Sequence, residues 1–215
     1  MLGILAFCSE ILPIVFYLSF YKRNRGEGLW VIFVYCTVSL LSEPAFDYLR
    51  VNSAYIYSGF TIVEFTLFSL FFYLSFQEKK FKYSTVFGAL IFYAISIPTL
   101  TGKKDSSFDS LNASLEAVLI ILYCILFLYE KIRDPKVIFV YYTKQFWIIV
   151  AFFIYFSSTL FLFLYAGSFT VQQHKNYWVI NNFFEILKNI LFSIAFIMKK
   201  NIQRSYLTDN LDPDI

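Results

Sequence analysis

Lys144 to Ala166, KQFWIIVAFFIYFSSTLFLFLYA, decides the class of this chain, because no charged residue follows Lys144 before the stretch ends. Coiled as a helix at about 1.5 Å per residue, it just exceeds the roughly 30 Å hydrocarbon core of a bilayer. In hydrocarbon an unpaired backbone amide costs several kcal/mol, so a spanning segment is a helix or a strand of a closed barrel. A continuous apolar run, rather than a ten-residue alternating one, selects the helix.

The pattern recurs along the chain. Hydrophobic residues make up 59 % of the 215 residues, charged residues 15 %, and the mean hydropathy is +0.62, outside the range of soluble globular domains. Apolar runs predict helices over about 2–21, 29–50, 54–77, 83–101, 111–130, 144–166 and 177–199. The expected fold is all-α: a polytopic transmembrane bundle of seven helices over residues 1–200, with a short polar tail over 201–215 that carries Asp209, Asp212 and Asp214. The first run carries Glu10 at its middle and has neither a basic leader nor a small-residue cleavage site, so it is expected to stay in the mature protein. The lack of an internal repeat disfavours transporter folds built from two similar halves.

The net charge of +3 is spread over short loops, which argues for topology rather than a nucleic-acid partner. Lys22, Arg23, Arg25, Lys79, Lys80, Lys82, Lys131, Arg133, Lys136, Lys144, Lys199, Lys200 and Arg204 fall on one side of the predicted bundle. Only Arg50, Lys103, Lys104 and Lys175 fall on the other. The positive-inside rule then places the N-terminus outside and the C-terminus in the cytoplasm. Residues 134–143 read either as a cytoplasmic extension of the sixth helix or as a membrane-surface stretch. Cys8, Cys36 and Cys124 lie inside apolar runs without paired spacing and read as small buried hydrophobes.

The ionisable residues within the spans carry the functional reading. Glu10, Glu64, Glu185 and Lys188 lie near helix centres, and Glu43 and Glu116 lie in the outer parts of theirs. A central charge costs about 2.5–3.5 kcal/mol to insert, so these groups should face one another or water. Five carboxylates against one ammonium cannot all be ionised without compensation, so some must be protonated, hydrated or paired with a cation. On the last predicted helix Asn181, Glu185, Lys188, Asn189 and Phe192 recur at three and four residues and define one inward face. Lys188 can pair with Glu185 at i, i+3, or reach Glu64 on another helix. Pro44 beside Glu43, with Asp47 one turn on, can kink its helix and free the Leu40 carbonyl. Pro13 repeats the arrangement after Glu10.

The stretches Asn52 to Phe65, NSAYIYSGFTIVEF, and Glu185 to Phe192, EILKNILF, resemble an uncharacterised family of small bacterial seven-helix membrane proteins. That resemblance implies the seven-helix topology and singles out Glu64, Lys188 and Asn189. In topology, and in a lysine mid-way along helix seven with an acid mid-way along helix three, the chain also resembles microbial rhodopsins, which implies retinal on Lys188. It departs from them where they place an acid four residues before the lysine, since Phe184 stands there, and Trp147 lies near the cytoplasmic end of its helix.

Enzymatic activity finds no motif. His174 is the only histidine, which excludes bis-histidine haem and multi-histidine zinc sites, and no aspartate sits at a helix centre. GxSxG, P-loop and GxGxxG sequences are absent, and no metal or other cofactor is expected. The reading that follows is a receptor-like or accessory module whose acidic chamber opens outside to a cationic or polar small ligand. It would act through a membrane or cytoplasmic partner protein. A proton- or cation-coupled transporter or pore is the alternative, and a structural subunit of a membrane complex is a third.

Overall fold

The computed structural model describes residues 2–26, 28–49, 53–101, 110–133, 140–166 and 168–199. The side chains of Glu43, Pro44, Asp47, His174 and Lys175 lie outside the described residues, as do Arg50, Lys103, Lys104, residues 134–139, Lys200 and the 201–215 tail. Every regular element among the described residues is helical. The seven long helices are α1 (Leu2–Ser19), α2 (Leu29–Leu49), α3 (Ser53–Ser75), α4 (Lys79–Thr101), α5 (Ser110–Arg133), α6 (Lys144–Ala166) and α7 (Val171–Ile197). A single helical turn, Tyr21–Asn24, follows α1, and a 3₁₀ turn, Val140–Tyr142, precedes α6.

Six of the long helices are long and apolar enough to cross a membrane; in α2 the described apolar stretch, Leu29–Ser42, is shorter. Neighbours in sequence pack side by side, and α7 closes the ring against α1. The outward surface agrees with a lipid environment. Along α4, Tyr83, Val86, Phe87, Leu90, Ile91 and Ile95 are all exposed, a continuous apolar stripe that water would penalise and hydrocarbon does not.

Two helices begin earlier than the apolar runs predict, because polar residues cap them. The α7 helix starts at Val171 rather than 177: Thr170 Oγ1 accepts from the Gln173 amide, and the Gln173 side chain accepts from the Thr170 amide. This reciprocal pair satisfies two amides that a helix start leaves open. The α4 helix starts at Lys79 rather than 83, where the buried carboxylate of Glu130 on α5 accepts from the amides of Gln77 (3.1 Å) and Glu78 (2.6 Å). The entry to α2 turns on Gly28, whose φ of 72° lies in the left-handed region.

At the far end of α7 a second cluster ties three helices together. The carbonyl of Phe196 accepts from Asn24 Nδ2 (3.1 Å) and Arg23 Nη2 (3.2 Å), and Arg23 also donates to the Ile197 carbonyl. Lys144, at the start of α6, donates to Asn24 Oδ1 (2.6 Å) and to the Arg23 carbonyl (3.1 Å). A helix C-terminus presents open carbonyls and a partial negative charge, which is what a guanidinium and an ammonium satisfy.

Between this end and the middle of the bundle the core is aromatic. Phe68, Phe71, Phe72, Tyr123, Phe152 and Phe192 are each 0 % exposed. Phe68 lies 4.4 Å from Phe152, and Phe152 5.4 Å from Phe192, ring centre to ring centre in tilted and edge-on geometry.

Candidate functional site

Above the aromatic layer the ring of helices does not fill its own centre. A cavity of about 310 Å³ remains in the half of the bundle where α2 joins α3, α5 begins and α6 joins α7. Among the described residues four carboxylates line it from four helices: Glu10 of α1, Glu64 of α3, Glu116 of α5 and Glu185 of α7. Lys188 and Asn181 of α7 join them. A helix repeats its direction every three to four residues, and this spacing turns Asn181, Glu185 and Lys188 to the same wall. Tyr57 at the rim is 38 % exposed, whereas Glu116 and Lys188 are 3 % and 2 % exposed.

Lys188 is held by neutral groups as much as by charge. Its Nζ donates to the Tyr35 hydroxyl at 2.6 Å, and it stands over the rings of Tyr155 (4.4 Å to the centroid) and Tyr35 (5.0 Å). Ring faces carry partial negative charge and attract an ammonium, the more so once water is removed. The ion pair it makes is with Glu185 at 3.8 Å, the i, i+3 neighbour. Glu64 lines the same cavity, and among the described residues no ion pair joins it to Lys188. The two partners that the sequence offers for Lys188 thus occupy unequal places: Glu185 forms the ion pair, and Glu64 shares the cavity without one.

The other polar groups are distributed around this centre. Ser39 donates to Glu10 Oε1 at 2.6 Å, and the Tyr155 hydroxyl donates to Asn181 Oδ1 at 3.0 Å. Glu116 differs: its Oε1 is buried and finds no hydrogen-bond donor among the described residues. Asn189 does not line the cavity. Its Nδ2 donates to Ser9 Oγ at 2.9 Å, which clamps α7 to α1. The side chain of Glu43 lies outside the described residues.

Comparison with family models, with curated proteins and with solved structures gives no match. The chemistry open to this chamber therefore follows from its own geometry. It can hold a small cation or polar molecule against carboxylates and ring faces. Tyr35, Ser39 and Tyr155 were not legible as site residues, since they are hydroxyl-bearing side chains in a chain with 17 tyrosines. The four-residue spacing of Tyr35 and Ser39 is the one signal that could have marked an inward polar face on α2.

Proposed function

We propose that the chain is a seven-span protein of the bacterial cytoplasmic membrane, N-terminus outside and C-terminus in the cytoplasm. In this reading it receives a small cationic or polar ligand from outside and acts, as a receptor-like or accessory module, through a partner protein. The observation that carries the reading is the form of the chamber. It is about 310 Å³ and acidic, and the Tyr35 ring in its wall packs 4.5 Å from Phe68 and 6.4 Å from Phe192 in the filled core beyond. A binding pocket needs one entrance, whereas a conduit needs two. Its size falls at the lower end of small-molecule pockets. The basic connections at the opposite end of the bundle offer a cytoplasmic partner a surface of defined charge.

Reconstitution in liposomes tests this. Proton, sodium and potassium flux should not rise above that of protein-free vesicles, and sustained flux of any of them would replace the receptor-like role with transport. An Asn182→Cys variant should react with a membrane-impermeant thiol reagent added to the outside of cells, since Asn182 lines the cavity. Reaction only from the cytoplasmic side would overturn the orientation of the chamber.

A further inference from the structure

Resting on that reading, we propose that Glu116 is the anchoring residue of the chamber and that its ligand is a small organic cation: an ammonium with at least one N–H, carried on a compact apolar or aromatic body.

Among the described residues the chamber carries four carboxylates and one ammonium, and that ammonium is already engaged by Tyr35, Tyr155 and Glu185. Glu10 is held by Ser39 and Glu185 by its ion pair, whereas no hydrogen bond or ion pair joins Glu116 to another described residue. Glu116 is 3 % exposed, it lines the cavity, and its Oε1 has no donor among the described residues. A buried acceptor without a donor is costly, and a buried carboxylate more so, unless a donor of opposite charge reaches it. An ammonium N–H supplies both the proton and the charge. A quaternary ammonium supplies only the charge.

The surroundings of Glu116 fit the rest of such a molecule. Ala113, one turn before it on α5, leaves space beside the carboxylate, and Phe156 and Phe163 of α6 present aromatic surface to the same cavity. The way Lys188 is held gives the chemistry in miniature, since tyrosine rings and a carboxylate already stabilise one ammonium there. Glu64 and Lys188 line the same cavity, and among the described residues neither is bonded to Glu116 Oε1.

Benzylammonium is a suitable probe, with benzyl alcohol and benzyltrimethylammonium as controls that remove the charge and the N–H respectively. In calorimetry on the purified full chain, benzylammonium should bind at least about tenfold more tightly than either control. Glu116→Gln should abolish that preference, while Glu130→Gln, at the opposite end of the bundle, should preserve it. A second measurement uses the unaltered protein: benzylammonium should protect Glu116 from modification by a hydrophobic carbodiimide, mapped by mass spectrometry, and benzyl alcohol should not. Equal binding of either control, retained preference in Glu116→Gln, or lack of protection at Glu116 would overturn the assignment. No binding in vesicles that also pass no ions overturns the Glu116 assignment alone, whereas ion flux overturns only the receptor-like role.

Discussion

The Lys188 ammonium donates a 2.6 Å hydrogen bond to the Tyr35 hydroxyl, 153 positions away in the chain. This bond joins α7 to α2 across the middle of the bundle, at the level where the chamber meets the aromatic core.

Tyr35→Phe is expected to lower stability by about 1–3 kcal/mol, because it strips an acceptor from a buried ammonium and leaves the ring in place. The melting temperature of the detergent-solubilised protein measures this, and an unchanged value would mean that the two ring faces and Glu185 suffice.

Lys188→Met should cost more, about 3–5 kcal/mol, by leaving buried carboxylates without their ammonium. Adding Glu185→Gln should restore more of the loss than adding Glu64→Gln, since Glu185 forms the 3.8 Å ion pair with Lys188. Double-mutant cycles on melting temperature compare the two couplings, and a larger one for Glu64 would make it the principal counter-charge.

Glu130→Ala is expected to destabilise by about 1.5–3 kcal/mol, the range for hydrogen bonds to a charged group, because the amides of Gln77 and Glu78 lose their shared acceptor. Hydrogen exchange at these two amides should accelerate. Glu130→Gln, which keeps one acceptor oxygen, should lie between the two. Protection unaffected by Glu130→Ala would show that the α4 entry is held by other contacts.

Gly88→Ala should cost about 1–3 kcal/mol by overpacking. A Cβ at this position meets the Tyr123 hydroxyl, which is itself fixed by donating to the Thr85 carbonyl at 3.1 Å. Combining it with Tyr123→Phe should recover part of the loss in a thermal melt, and strictly additive losses would locate the strain elsewhere.

A reporter fused after Arg204 should be active only in the cytoplasm, and one inserted near Ser106 only outside. The opposite pattern would invert the proposed orientation.

Helices and their order were legible because a membrane interior accepts few other backbones, and α6 falls on the residues that its apolar run predicts. Helix starts were not, since Thr170 with Gln173 and the distant Glu130 act through polar groups that read as loop. The inward positions of Glu10, Glu64, Glu116 and Glu185 followed from the cost of exposing a charge to lipid. Their partners did not follow, because pairing depends on the rotation of one helix against another. Lys188 and Asn189 illustrate this. Adjacent residues on a helix diverge by about 100°, so the lysine enters the chamber while the asparagine turns to Ser9.

The closure of α7 on α1 has a bearing on how the molecule is made. The first of the long helices to leave the ribosome carries Ser9 on a face whose covering helix is the last of them to be synthesised. Until α7 arrives, that polar face has no protein neighbour on one flank, so α1 must wait in the bilayer or in the insertion machinery for a partner still being translated. Nascent chains stalled before Val171 should therefore remain associated with that machinery, and release should coincide with the latch of Arg23 and Asn24 onto the end of α7.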